Sequence, residues 1–315
     1  MNKEVYRDFC NQEASLPVFI RDWWLDNVCG EKNWDVALVQ KENRVIAALP
    51  FFNVKKGIYK GMMLPPLTPH LGPYIFYPEG QKYSSRLSYE KEIMAKLIDA
   101  LPGFDFFVQT LSPAITNWLP FYWNGFLQTT KYTYVLDDLT ELDQLVNNFS
   151  HEKRKNLKRA DQLLQVYSGL SPDDFYAHHK LSLAKTNQKI NYSPELFRRV
   201  VQAAIDHDSG RIIYAMDQNH IIHSGLFFVW DDKTGYNLVS TIDPDLRSSG
   251  SIALLIREAI RFLSMRTKIF DFEGSMIESV ENSFRHYGTK QVPYFKLMKY
   301  NSMILRIIKG INHNA

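Results

Sequence analysis

The chain has 315 residues, of which 45% are hydrophobic, 14% aromatic and 23% charged. That length exceeds one ordinary core and suits two domains of about 150 residues, and the composition excludes disorder over the whole chain. Lys and Arg outnumber Asp and Glu by 37 to 34, which argues against a bulk nucleic-acid binder but allows a local basic patch.

No run approaches the roughly 18–20 apolar residues of a membrane span. Met1 to Tyr6 opens no signal-peptide core. Cys10 and Cys29 are the only cysteines, with no metal spacing, so neither a disulfide framework nor a Cys-based zinc site is expected. A cytoplasmic protein without a metal is the simple reading.

In chain order, helices are expected at about 3–14 and 17–28. A strand, a polar turn and a strand follow in Asp35 to Phe52 (DVALVQKENRVIAALPFF). Lys91 to Phe107 reads as a helix leading into a short strand, Phe104-Asp105-Phe106, and Phe121 to Gly125 as F-x-x-x-G. Leu139 to Asp161 is a charged helical arm. Helices recur at 172–186 and 193–207, the second opened by Ser193-Pro194. Arg211 to Phe228 (RIIYAMDQNHIIHSGLFF) is a second hairpin, and the turn Asp231 to Gly235 joins it to a strand, Tyr236 to Ile242. Ile252, Leu255, Ile256, Ala259 and Leu263 are spaced as the apolar face of a helix, with Ser248 or Ser249 as its cap. A buried-type strand at 268–272, a helical turn at Phe284 and a closing strand at 292–298 complete the chain.

The second half repeats the first. The hairpins align without a gap at an offset of 176, sharing Asn43/Asn219, Ile46/Ile222, Phe51/Phe227 and Phe52/Phe228. Lys91–Phe107 matches Arg257–Glu273, pairing Asp105 with Asp271 and Phe106 with Phe272. Phe121–Gly125 matches Phe284–Gly288. This predicts a mixed α/β fold seen twice: residues 1–138, a connecting arm at 139–162, and residues 163–315.

That order resembles the GNAT acyltransferase fold, and its duplication resembles the FemAB-like branch of that superfamily. Leu64 to Pro73 (LPPLTPHLGP) is similar to the proline-rich loop of the first domain. Arg154 to Ala160 resembles the R-x-N-x-x-x-A helix that opens the second. Phe270 to Ser275 and Phe284 to Gly288 resemble its D-F-x-G and F-K/R-x-x-G elements. The resemblance implies an N-acyltransferase of two tandem GNAT-like domains, with acyl-CoA as donor and an amine as acceptor. The first domain would serve structure and acceptor, the second donor and catalysis. FemAB enzymes instead take an amino acid from aminoacyl-tRNA and load a peptidoglycan precursor, which keeps cell-wall chemistry and tRNA open. A silent protein that holds a nucleotide-linked precursor is a third reading. The long helical insertion of the best-known FemAB proteins is missing, and the pyrophosphate loop R/Q-x-x-G-x-G/A ends here in Ile252.

Four groups of residues are candidates for the chemistry. Arg247, Ser248, Ser249, Gly250 and Ser251 precede a helix whose N–H groups and dipole suit a phosphate; the plain alternative is a capping loop. Asp271 and Glu273 alternate on one strand face, a costly place for carboxylates unless they are paired or functional. Glu273 would take the proton from the attacking amine, with Asp271 beside it. Arg285 would stabilise charge on the substrate carbonyl or phosphate, as the resemblance implies. Arg154, Lys155 and Lys158, in a run with Lys153 and Arg159, would meet phosphate, or else form a solvated helix face. Tyr236 and Ser240 sit where the resemblance implies that the sheet admits the donor, and ordinary sheet alternation is the competing account.

Overall fold

The computed structural model describes residues 2–274 and 276–310. Ser275, at the end of the D-F-x-G match, lies outside them. The chain forms two compact units, residues 2–131 with 293–310, and residues 132–292. These boundaries differ from the expected 1–138, 139–162 and 163–315. The arm belongs to the second unit and the chain end to the first.

The first unit contains α1 (Asn2–Gln12), α2 (Asp22–Cys29), β1 (Trp34–Lys41), β2 (Arg44–Lys56), β3 (Tyr59–Met63), β4 (Tyr74–Ile75), α3 (Tyr83–Asp99), β5 (Phe106–Thr110) and α4 (Leu119–Trp123). β6 (Leu127–Leu136) crosses the boundary between units. The second unit contains α5 (Leu142–Asn147), α6 (His151–Leu163), β7 (Gln165–Ser168), α7 (Pro172–Ala184), α8 (Pro194–Asp206), β8 (Gly210–Met216), β9 (Ile222–Trp230), β10 (Thr234–Ile242), α9 (Ser251–Leu263), β11 (Ile269–Asp271) and α10 (Glu278–Arg285). β12 (Lys290–Tyr300) returns to the first unit, followed by α11 (Met303–Ile308).

Strand order in the first unit is β1-β2-β3-β5-β12, with β4 on β2. In the second it is β6-β11-β10-β9-β8-β7. All pairings recorded in each are antiparallel except one, β3 with β5 and β10 with β11. Each parallel pair spans three positions and is bridged by a crossover helix, α3 or α9. The repeat expected from sequence is therefore a repeat of pairing. The closing strands are exchanged: β12 was expected to complete the second copy, yet its Lys296–Tyr300 pairs with β5, while Leu136 and Val135 of β6 pair with β11.

The hydrogen-bond register corrects the sequence alignment. Gly61 and Gly235 occupy equivalent places on β3 and β10, facing Val54 and Trp230 of the aligned hairpins. Their partners are Phe106 and Phe270. Asp271 therefore corresponds to Phe107, not Asp105, two residues away.

Each unit has its own core. In the second, α9 buries Ala253, Leu254, Leu255, Ile256, Ala259, Ile260 and Leu263 against the sheet, which fits its predicted apolar face. In the first, Ile93, Met94 and Leu97 of α3 pack on Phe107, Leu49 and Leu297.

Candidate active site

The short strand β11 makes the site. It pairs with β10 only through Thr234–Ile269, Gly235–Phe270 and Tyr236–Asp271, and then stops, while β10 runs on to Ile242. A register shift between Asn237 and Val239 bends β10 at this point. The two strands thus part beyond Tyr236.

At the parting, the backbone turns on Glu273, a non-glycine residue at φ +54°. Gly274 must be glycine, because a Cβ there would lie 1.9 Å from the Tyr132 carbonyl oxygen. Thr133 of β6 holds the turn: its Oγ1 donates to Asp271 Oδ1 and accepts from Gly274 N at 2.8 Å. Asp271 Oδ1 also accepts from Glu273 N at 2.7 Å, and Phe272 N donates to the Tyr134 carbonyl at 2.9 Å. A strained turn fixed by this many bonds is over-determined, as functional turns often are.

The expected carboxylates come together here. Asp271 is buried, and burial pushes its carboxyl up to about 6 against the opposing pull of its hydrogen bonds. Glu273 lies well above the usual carboxylate range, first because of burial and then because of the Asp271 charge. Its Oε1 is buried without a hydrogen-bond partner, an unmet polar group in a position of this cost. Tyr236, the register partner of Asp271, is buried and donates its hydroxyl to Asp231 Oδ2 at 3.4 Å. In the first unit these places hold Phe107 and Gln109, with Gln109 Nε2 on the Pro50 carbonyl at 3.2 Å. There the proline-rich loop folds in: Leu71 N donates to the carbonyl of Thr110 at the end of β5, and Trp24 Nε1 to Thr68 Oγ1.

Arg285 is not part of this group. It is exposed on α10 and donates from Nε to Asn282 Oδ1 at 3.2 Å, with Glu281 at 3.9 Å. Glu281 Oε1 accepts from the Tyr134 hydroxyl at 3.0 Å. Tyr134 follows Thr133 on one strand, so their side chains point to opposite faces. Phe272, on the side away from Asp271, packs on Phe284 and Tyr287. The sequence alone could not assign α10 to the opposite face from Asp271.

The loop at Arg247–Ser251 and the basic helix, read separately from sequence, converge. Gly250 is the N-cap of α9 at φ +78°, in place of the expected serines, and a Cβ on it would lie 2.2 Å from the Asn156 carbonyl of α6. Arg159 of α6 donates to the Ser248 carbonyl at 2.6 Å. Lys155 lies one turn before Arg159, and both are exposed. Arg247 and Ser248 are exposed; Ser249 and Ser251 are buried, with Ser249 Oγ accepting from Ser251 N and Ser251 Oγ lacking a partner. Gly250 is thus accounted for by its left-handed backbone and the approach of α6. Lys158 is exposed on α6. Arg154, expected to bind substrate, is engaged with the Asn147 carbonyl at 2.7 Å and with that of Phe149, which closes the end of α5. Ser240 is exposed and donates to Asn237 Oδ1 at 2.6 Å.

Lys153 behaves differently from its neighbours. Its Nζ donates to Ser283 Oγ at 2.9 Å and lies 4.3 Å from the Tyr287 ring centre, and burial lowers its ammonium to about 8. The signal was its spacing from buried Leu157 and Ala160, at four and seven residues. Among the described residues no cluster of His, Cys, Asp and Glu suits a metal ion.

No protein-family model matches the chain, and no curated protein matches its sequence. Solved structures do match. FemX aligns at a TM-score of 0.69 and 11% identity over 98% of both chains. The chain has the fold of a FemX-like tandem GNAT protein. The C-terminal domain of a putative lysylphosphatidylglycerol synthetase from Agrobacterium fabrum aligns at 0.54 and 12% identity, over 98% of this chain and 95% of that one. A tandem GNAT protein from the clavulanic acid biosynthesis pathway aligns at 0.50 and 8%, over 96% and 95%.

Gly250→Ala should cost about 2–3 kcal/mol, measured by denaturant unfolding, since it combines backbone strain with a clash against α6. Asp271 is easier to keep neutral in the fold than in the unfolded chain. Its contribution is therefore full below about pH 4 and is lost as pH rises through about 6, by roughly 2–3 kcal/mol. Asp271→Asn should flatten that fall in unfolding curves taken from pH 4 to 7.

Proposed function

We propose that the protein is an N-acyltransferase whose reaction centre is the parting of β10 and β11 in the second unit. The observation that carries this reading is the buried, unpartnered Glu273 Oε1 at the end of β11, beside Asp271 and Tyr236. A buried carboxyl with a raised pKa is a competent proton acceptor near neutral pH once it is ionised.

An activated acyl donor enters between the strands. Backbone N–H groups of β10 beyond Tyr236 polarise its carbonyl. The acceptor amine attacks the carbonyl carbon, and its proton passes to Glu273. The bond to the leaving group breaks as Tyr236 gives its hydroxyl proton to the departing thiolate, and the proton taken up by Glu273 returns through solvent to Tyr236, whose neutral form burial favours. Asp271 positions the Glu273 backbone through its own accepted bond. No covalent enzyme intermediate is required.

The donor carries phosphate. Arg247, Lys155 and Arg159 supply cations around the start of α9, and coenzyme A is the donor that suits that combination best. Aminoacyl-tRNA is the second reading, favoured by the exposed Lys155 and Lys158 on α6. Arg285, on the opposite face, is left outside the reaction centre. The first unit, where the equivalent parting is met by the proline-rich loop, serves the structure and the acceptor.

Transfer from acetyl-CoA to a panel of amines tests the assignment. Glu273→Gln should lower kcat by about 10²–10⁴-fold with the melting curve retained. The wild-type rate should fall on the acid side with an inflection above the ordinary glutamate value, because the base must lose its proton. Arg285→Ala should stay within about threefold, as expected of an exposed charge. Full activity in Glu273→Gln would remove the carboxylate from the mechanism.

A further inference from the structure

The first unit has a second feature that the transfer reading does not use. At one end of its sheet, the β2–β3 turn raises Ile58 into solvent at 82% exposure. Lys55, Lys56 and Lys60 flank it and are exposed. Lys60 O accepts from Asp105 N, and Asp105 O accepts in turn from Asn301 N and Ser302 N, so the turn lies beside the start of α11.

α11 is inverted relative to an ordinary surface helix. Met303, Ile304, Ile307 and Ile308 are 57–72% exposed, while Leu305 and Arg306 are half-buried. The four exposed residues fall within one face, about 140° wide at 100° per residue. Arg306 is turned inward onto the Tyr300 carbonyl at 2.6 Å. Between residues 293 and 310 the chain has Lys296, Lys299, Arg306 and Lys309 and no acidic residue. Two acids lie nearby: Asp105 accepts the Lys60 N–H at 2.8 Å, and Asp35 lines one groove with Lys55 and Lys60, so the lysines outnumber the acids there. Lys299 is directed to the Asn124 carbonyl, which leaves Lys55, Lys56, Lys60 and Lys309 as the exposed cations around the apolar groups.

We propose that this end of the first unit seats on an anionic lipid surface, with Ile58 and the apolar face of α11 entering the headgroup boundary and the lysines facing lipid phosphates. The combination of protruding apolar side chains with a basic rim is what interfacial binding requires. A second copy of this chain fits less well, because it would bring two basic rims together. The proposal is independent of the transfer chemistry.

Co-sedimentation of the full chain with vesicles tests it. Equimolar phosphatidylglycerol and phosphatidylcholine vesicles should bind the protein at least about tenfold more tightly than pure phosphatidylcholine, and about 0.5 M salt should largely release it. Ile307→Glu and Ile58→Glu should each weaken binding roughly tenfold, with melting temperatures unchanged because both sites are exposed. A Lys55→Gln, Lys56→Gln, Lys60→Gln variant should do the same without touching the apolar face. No partition onto anionic vesicles, equal binding to both vesicle types, or variants that bind like wild type would overturn the proposal. So would a dimer in light scattering that Ile307→Glu dissolves while vesicles stay unbound, which would assign the face to a second copy.

Discussion

One hydroxyl, Thr133 Oγ1, determines how β11 of the second unit ends. It donates to Asp271 and accepts from Gly274 N, so it clamps both sides of a turn whose middle residue, Glu273, holds a left-handed backbone. Gly274 answers the same constraint, since only a residue without a Cβ can lie against the Tyr132 carbonyl. With β11 ended there, β10 continues beyond Tyr236 on β9 without its parallel partner. The parting of the strands, the burial of Asp271 and the unmet oxygen of Glu273 all depend on that clamp. Energetically the arrangement is unfavourable, with the buried Asp271 carboxyl beside the buried Oε1 of half-buried Glu273, and the surrounding bonds sustain it.

The two units repeat a topology but not a site. Both have a hairpin, a third strand, a crossover helix and a three-position parallel pair. In the first, the strand after the hairpin ends at Met63 and the loop of Leu64–Pro73 takes over, with Leu71 bonded to the end of β5. The positions of the carboxylates are Phe107 and Gln109. The pair of carboxyls is thus confined to the copy whose third strand runs long and whose parallel partner stops short.

Much of this was legible in the sequence because it depends on local periodicity. The hairpins, the spacing of Ile252 to Leu263 and the Ser193-Pro194 start all appear as elements in the folded chain. Asp271 and Glu273 were expected to alternate on one strand face, but the strand ends at Asp271 and Glu273 lies beyond it in a left-handed turn, which period-two spacing does not reveal. What failed has period-two or long-range causes. Phe104-Asp105-Phe106 and Phe270-Asp271-Phe272 match by eye, but a slip of two residues preserves every side-chain face, so alternation could not reveal that the true partner of Asp271 is Phe107. The exchange of β6 and β12 is invisible for a similar reason, since either strand has the pattern that either place accepts. Arg285 required knowing which face α10 covers. Lys153 was hidden inside a run of cations, although its spacing from Leu157 and Ala160 put it on the buried side.

The most direct measurement is a crystal structure of the protein with an unreactive acyl-CoA analogue. Its carbonyl oxygen should lie on a β10 amide between Asn237 and Val239, with Glu273 beside the carbonyl carbon. The phosphates should lie against Arg247 and the start of α9, within reach of Lys155. An analogue bound away from the β10–β11 parting, with Glu273 untouched, would contradict the proposed reaction centre.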